Sequence, residues 1–313
     1  MPESYPVSVE IEPPFLSRFQ CGNTGIDYLH RLDSGKPGPH AMITSVVHGN
    51  EFSGAVAMAE LLENPPEILC GRLSLCFVNA EACLRFDRKR PWHSRFIDED
   101  LNRLWDDDVL GGPRHSLELD RARSLRSTID DVDYLLDLHT MASVSPPLVL
   151  AGTTERARNL AEKLGLGLSI VMDGGHQTGR RLRDYGAFGE ENTHKTALLV
   201  ECGQHWRVDS VRLAGKTMSR FLAALGMTNP CDRDDAPLHS NVLQITHTIT
   251  AAGHAFEFCH RYESLQTIER KGTAIAKDDD LTIVTPYDNC VLVMPTQGVQ
   301  PGQTAVRLGR RLE

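Results

Sequence analysis

The chain has 313 residues, of which 41% are hydrophobic and 24% are charged. Its 33 lysine and arginine residues are outnumbered by 42 aspartate and glutamate residues, which gives a formal net charge of −9. An acidic surface repels phosphates, so this balance excludes a protein that binds nucleic acid through a basic surface. No apolar run reaches the roughly 20 residues that span a bilayer, so we expect no membrane contact.

The eight cysteines form no CxxC pair, which disfavours a thiolate zinc cluster. At this density in a chain of this length, cysteines are typical of reduced thiols. The first residues, MPESYPVSVEIEPPF, lack the basic start and apolar core of a secretory signal. The sequence therefore predicts a cytoplasmic protein.

Strands and helices alternate over the first two-thirds of the chain. Short apolar runs predict strands over 41–47, 72–78, 134–139, 148–151, 168–172 and 197–201. Stretches with one apolar face predict helices over 52–62, 116–129, 154–164 and 209–225. This alternation predicts an α/β fold, in which helices flank a mostly parallel or mixed central sheet.

The pattern changes after about residue 227. Residues 229–236 read NPCDRDDA, which predicts a linker. Short β-like runs separated by glycine and proline then follow over 242–249, 282–285, 290–294 and 304–308. We therefore expect an α/β domain over residues 1–230 and a smaller β-rich domain over residues 231–313.

The strongest local motif, His48-Gly-Asn-Glu51, comes directly after the first apolar strand. An imidazole nitrogen and a carboxylate oxygen at this spacing can bind one metal ion, and zinc accepts that mixture of ligands. Taken alone, such a short pattern is more typical of a solvent-exposed turn.

Two further residues change this interpretation. His139 ends the strand YLLDLH and Glu201 ends the strand ALLVE. Parallel sheets bind ligands at the carboxyl ends of their strands, so these residues and the HxxE motif should lie together. His139 would then be the third ligand, and Glu201 a general base that takes a proton from water. Asp137 on the same strand is either an orienting partner of a ligand or a structural carboxylate.

Residues 95–103 read RFIDEDLNR. Arg95 and Arg103 suit a carboxylate, or the oxyanion that develops on a carbonyl under attack. Alternatively, they only balance the acidic residues of a charged loop. The chain has no GxSxG motif, so a serine nucleophile on a strand-to-helix turn is not expected.

Four motifs in this order resemble the succinylglutamate desuccinylase/aspartoacylase family, a branch of the zinc carboxypeptidase-like hydrolases. They are HGNEFSG from residue 48, RFIDEDLNR from 95, DLH from 137 and VECG from 200. The resemblance implies the zinc carboxypeptidase-like fold, with the C-terminal β-rich domain over the active site. It also implies a zinc-dependent amidohydrolase that converts a small N-acyl amino acid to a carboxylate and a free amino acid.

The resemblance further implies roles for individual residues. His48, Glu51 and His139 resemble the ligands of one zinc ion per chain, and Glu201 resembles the general acid/base. Arg95 resembles the arginine that polarises the scissile carbonyl. The residues that resemble the pair holding the α-carboxylate of the substrate are Asn102 and Arg103.

Substrate identity stays open at this point. Members that cleave acidic acyl amino acids bind a second carboxylate, for which the candidates here are Arg180, Arg181, Arg183 and, by rough position only, Tyr287. His205 is a candidate for lining the pocket. A metallocarboxypeptidase acting on peptides and a catalytically silent binding protein of the same fold are the alternative functions. A homo-oligomer is also left open.

Overall fold

The computed structural model describes residues 8–176, 178–230 and 238–312. Within these ranges the α-helices are α1 (Ser53–Glu63), α2 (Ala80–Leu84), α3 (Asp107–Gly111), α4 (Leu117–Asp130), α5 (Glu155–Lys163) and α6 (Val208–Ala224). Strands of the first part are β1 (Leu29–Asp33), β2 (His40–Ser45), β3 (Arg72–Phe77), β4 (Tyr134–Met141), β5 (Leu148–Leu150), β6 (Ser169–Met172) and β7 (Thr196–Gln204). Those of the last part are β8 (Val242–Thr250), β9 (Glu257–Phe258), β10 (Gln266–Ile268), β11 (Ala274–Asp278), β12 (Leu281–Val284), β13 (Cys290–Val293) and β14 (Thr304–Leu312).

One mixed sheet of eleven strands runs in the order β1-β3-β2-β4-β7-β5-β6-β8-β14-β13-β10. Strands β3, β2, β4 and β7 are parallel to one another. Strand β5 is antiparallel to β7 and parallel to β6, so the strand direction reverses in the middle of the sheet. The predicted α/β class is confirmed, and the sheet is mixed.

Helices cover both faces of the sheet, as the alternation of buried residues requires. Successive residues of a strand point to opposite faces. Leu136 and Leu198 pack in the cluster that contains residues of α1, α5 and α6, whereas Leu135 and Ala197 pack against α4. The Ser116 side chain accepts a hydrogen bond from the Leu119 amide and so caps α4 at the predicted start.

The C-terminal strands extend the central sheet. Strand β8 pairs in parallel with β6, and β14, β13 and β10 follow it in antiparallel order. Leu148, Val171 and Leu199 share one buried cluster with Val291 and Val293. Strands β9, β11 and β12 form a separate three-stranded sheet. The division at residue 230 stays a prediction, and most of the predicted linker lies outside the described residues.

No helix in the described part of the chain combines the length and apolar character needed to cross a bilayer. Seven cysteines fall in the described ranges, and each is a free thiol. Cys231 lies outside these ranges.

The shared cluster predicts that the C-terminal strands unfold together with the rest of the sheet. Val291→Ala removes two methyl groups from this fully buried cluster and should lower the free energy of unfolding by about 2 kcal/mol. Calorimetry should show one transition at a lower temperature. The matched control Val144→Ala, at a side chain that is 76% exposed, should change little. A separate transition that alone responds to Val291→Ala would contradict this coupling.

Candidate metal centre

His48 and Glu51 lie in the turn that connects β2 to α1. Val46 opens this turn with a φ of 49°, a conformation that β-branched residues rarely adopt. Trp206, which follows β7, donates a hydrogen bond of 2.8 Å from Nε1 to the Asn50 carbonyl. Tertiary contacts of this kind hold the turn in a conformation that the local sequence disfavours.

Gly49 brings the turn close to the segment that carries the arginines. Its amide donates a hydrogen bond of 2.9 Å to the Arg95 carbonyl. A Cβ atom at Gly49 would overlap the Ser94 carbonyl oxygen and the backbone between Ala82 and Cys83. Only glycine permits this approach, which places Arg95 beside the HxxE motif.

The strand register brings His139 and Glu201 together. They are directly paired residues of the parallel strands β4 and β7, and both are buried. His139 lies two residues before the last residue of β4, and Glu201 lies three residues before the last residue of β7. Both strands therefore extend slightly beyond their predicted ends. Asp137 precedes His139 by two residues and therefore points to the same face of the sheet.

Glu51 is the centre of the cluster. Its Oε1 lies 2.8 Å from Nδ1 of His48, and its Oε2 lies 2.9 Å from Nδ1 of His139. Ligand atoms of the three residues all lie within 4.8 Å of one another. The described ranges contain no second such group of three.

Each histidine also contacts a carboxylate on its other ring nitrogen. Nε2 of His139 lies 2.9 Å from Asp137 Oδ2, and Nε2 of His48 lies 2.9 Å from Asp100 Oδ1. Thr44 donates a hydrogen bond of 2.7 Å to the second oxygen of Asp137. Metal-binding histidines are commonly oriented in this way. The Asp137 side chain is therefore an orienting partner of His139.

The residues present fit a zinc ion. His48 Nδ1 is buried and has no hydrogen-bond partner, although it faces Glu51. Two imidazole nitrogens and a carboxylate are a donor set that catalytic zinc sites use. If both imidazoles are neutral, the carboxylates of Glu51, Asp100 and Asp137 carry three negative charges. The guanidinium of Arg95 carries one positive charge, so two negative charges remain. A divalent cation would balance this excess.

The pKa values of the cluster show how strongly its charges interact. Burial favours a neutral Glu51, but His48 and His139 outweigh it and hold the pKa of Glu51 well below its ordinary value. Burial lowers the pKa of His139, but Asp137 and Glu51 raise it well above the usual range. Without a metal, a proton on His139 therefore offsets part of the carboxylate charge.

Arg95 reaches into the same cluster. Its Nη1 donates a hydrogen bond of 3.0 Å to Glu51 Oε1, and its Nη2 donates one of 3.3 Å to Asp100 Oδ2. Nη2 also lies 2.8 Å from Nε2 of His48. The guanidinium thus lies beside the ligands and forms ion pairs with Glu51 and Asp100.

Glu201 differs from the other carboxylates because its Oε2 is buried without a hydrogen-bond partner. Burial raises its pKa to about 8, with His139 opposing and Glu51 reinforcing the shift. A carboxyl group in this environment can both hold and release a proton near neutral pH.

Asn102 and Arg103 follow Asp100 on a short 3₁₀ turn (Leu101–Arg103). The Asn102 side-chain oxygen accepts a hydrogen bond of 2.9 Å from the Leu182 amide, so it already holds the neighbouring segment. Arg103 donates a hydrogen bond of 2.7 Å to the Asn102 carbonyl. Burial lowers the pKa of Arg103, and nearby arginines repel its charge. Substrate binding by Asn102 and Arg103 stays a prediction.

The other candidates lie outside the metal-ligand cluster. His205 is buried, and its Nδ1 lies 2.7 Å from the Thr140 hydroxyl. Tyr287 forms a hydrogen bond of 2.6 Å with Thr246 and packs under Arg310. The arginines at 180, 181 and 183 contact aspartates beyond the cluster.

A family model described as the succinylglutamate desuccinylase/aspartoacylase catalytic domain matches residues 37–225. The chain belongs to this family. The matched region includes the three metal-ligand candidates, Glu201 and the RFIDEDLNR segment. No curated protein matches the chain.

Solved structures of this family have the same fold. The succinylglutamate desuccinylase of Vibrio cholerae is 19% identical, with 91% of this chain and 86% of that chain covered and a TM-score of 0.73. The enzyme of Vibrio parahaemolyticus is 17% identical, covers 92% and 87%, and has a TM-score of 0.69. The ectoine utilization protein EutE of Ruegeria pomeroyi, in a product-bound structure, is 18% identical, covers 90% and 88%, and has a TM-score of 0.61.

Sequence reasoning missed two acidic residues. One contacts the metal-ligand candidates, and the other holds the segment that carries the arginines. Asp100 has no role of its own in the sequence analysis, yet its carboxylate contacts His48 and Arg95. Glu118, on α4, is 1% exposed and accepts hydrogen bonds from three successive amides at 97–99, at 2.6, 3.0 and 3.3 Å. Residues 99 and 118 lie too far apart in the sequence for a local motif to reveal this contact.

We predict that Glu118→Gln loosens the arginine-bearing segment. A glutamine amide group would place N–H donors against backbone N–H groups, so the free energy of unfolding should fall by about 2 kcal/mol. Chemical denaturation measures this change. The matched control Glu67→Gln, at an exposed glutamate, should be neutral. Equal stability of the two variants would show that Glu118 does not hold the segment.

Proposed function

We propose that the chain is a zinc-dependent deacylase that hydrolyses the amide bond of a small N-acyl amino acid. The observation that carries this proposal is the buried group of His48, Glu51 and His139 beside an unpartnered Glu201 carboxylate. Family membership supports the deacylase class.

The zinc ion would be held by Nδ1 of His48, Nδ1 of His139 and the Glu51 carboxylate. When bound, zinc lowers the pKa of water and polarises a carbonyl group. The chain's own residues orient this centre, because Asp100 and Asp137 fix the two imidazole rings through their Nε2 atoms.

Glu201 is proposed to move the proton. The oxygen of a water molecule adds to the amide carbon while one water proton passes to the Glu201 carboxylate. The same proton then passes to the amide nitrogen as the C–N bond breaks, which releases a carboxylic acid and the amino group. The acid then loses the second water proton to the amino group or to solvent, which leaves a carboxylate and a free amino acid. The pKa of about 8 that burial gives Glu201 suits both transfers.

The arginines are proposed to bind and stabilise negative charge. Arg95 would offset the charge that develops on the carbonyl oxygen, because its guanidinium already lies beside Glu51. Arg103, together with Asn102, would hold the α-carboxylate of the substrate. Bidentate pairing with a carboxylate is a common use of arginine.

We also propose a cytoplasmic location. The free thiols in the described ranges support it, since disulfides are rare in reducing compartments.

A substrate screen tests this function. The zinc-loaded protein should release amine from N-acetyl, N-formyl or N-succinyl amino acids, and Glu201→Gln should lower kcat about 10²–10⁴-fold without changing zinc content. The control Glu67→Gln should keep full activity. Release of amino acids only from unblocked peptides would favour a carboxypeptidase. Zinc binding without any turnover would favour a silent binding protein.

Arg103→Ala should act on substrate binding. We expect KM to rise at least about tenfold with kcat nearly unchanged, since tenfold corresponds to about 1.4 kcal/mol, within the usual range for a charged hydrogen bond. Arg212→Ala, at an exposed arginine on α6, is the control. An unchanged kcat/KM in Arg103→Ala would refute the carboxylate contact.

A further inference from the structure

A cavity of about 560 Å³ opens at the carboxyl ends of β5 and β6. These strands run opposite to β7, so their carboxyl ends lie at the other edge of the sheet from those of β2 and β4. Residues of the cavity wall include Gly152, Thr154, Gly174, His176 and Arg183. The proposed zinc ligands do not line it, and its volume is typical of small-molecule sites.

Arg183 forms a buried basic group in the wall of this cavity. It is 3% exposed, and its Nε has no hydrogen-bond partner. Its Nη2 lies 2.8 Å from Asp184 Oδ1. A Cβ atom at Gly152 would overlap the guanidinium, so the bare glycine allows Arg183 to lie flat against the backbone. A buried N–H donor without an acceptor costs free energy that a ligand oxygen would recover.

Positive charge exceeds negative charge in the interior beside Arg183. Arg181 donates to Asp173 at 3.0 Å and to Asp184 at 2.5 Å. Arg307 of β14 donates to the same Asp173 oxygen at 3.0 Å. Three buried arginines thus share the buried Asp173 and the partly buried Asp184, and Nη2 of Arg181 also has no hydrogen-bond partner.

The amino end of α5 provides a second attraction for an anion. Thr153 and Thr154 line the cavity directly before this nine-residue helix. Thr154 occupies the N-cap position, but its side chain makes no capping hydrogen bond. Unpaired amides and the helix dipole make such an end favourable for an oxyanion.

Besides Asp173 and Asp184, two further carboxylates line the cavity and limit the charge that it can accept. Asp106 lies 3.8 Å from Arg180, which partly compensates it, and Glu190 is exposed to solvent. One compact oxyanion group therefore suits the site better than a highly charged chain.

We propose that this cavity binds the phosphate or carboxylate group of a small metabolite between Arg183 and the amino end of α5. The proposed zinc ligands do not line this cavity, so the proposal does not depend on the proposed function. Bound oxyanion would steady the Leu182–Asp184 turn, to which Asn102 is hydrogen-bonded.

Calorimetric titration of the full chain with inorganic phosphate tests the proposal. Gly174 lines the cavity, and the nearest atom to an added Cβ there is Thr153 Cγ2 at 3.9 Å, so a side chain fits. Gly174→Asp places a carboxylate in the site and should weaken phosphate binding at least about tenfold, which corresponds to about 1.4 kcal/mol. The control Gly174→Asn adds a side chain of similar size without charge. It should therefore bind phosphate more tightly than Gly174→Asp, by most of this tenfold difference.

Separate titrations with phosphate and with glutamate identify which oxyanion the site prefers, and binding of either supports it. Arg183→Met should also abolish binding, with Arg212→Met as its control. No binding of either anion at millimolar concentration would overturn the proposal. Equal affinity of Gly174→Asp and Gly174→Asn would also overturn it, because the anion would then bind elsewhere, for instance at the metal.

Discussion

The site depends on one buried carboxylate, that of Glu51, whose two oxygens face the Nδ1 atoms of His48 and His139. Burying a charge is costly unless it is paired and hydrogen-bonded. Much of the surrounding structure supplies these partners. The HxxE turn adopts a disfavoured conformation at Val46, the parallel register places His139 opposite Glu201, and Gly49 admits the arginine-bearing segment.

The reversal of strand direction at β5 has a consequence for the whole molecule. Strands β2, β4 and β7 direct one group of polar residues to one edge, whereas β5 and β6 direct another to the opposite edge. Leu148, Leu150 and Leu199 of these strands belong to one buried apolar cluster. Arg307 of β14 joins this second group, so the C-terminal strands complete the polar interior as well as the sheet.

The sequence predicted the elements whose signal is local. Apolar runs and amphipathic stretches located the main strands and helices within a few residues. The strand-end rule predicts that His48, His139 and Glu201 lie together, as they do in the structure. The motif spacing and the family resemblance then assigned their chemistry.

The remaining features depend on contacts between distant residues. A three-residue strand such as β5 has no pattern that reveals its direction. Asp100 and Glu118 appear as ordinary surface acids until the fold places them against His48 and the amides at 97–99. Arg183 appears as one charge in a basic loop, but the fold buries it against the bare Gly152.

The most direct test of the account is anomalous diffraction from crystals at the zinc absorption edge. A single strong peak should lie between Nδ1 of His48, Nδ1 of His139 and the Glu51 carboxylate, with the two Nε2 atoms still on Asp100 and Asp137. A zinc-loaded crystal with no peak there, or with its zinc bound at other residues, would contradict the account.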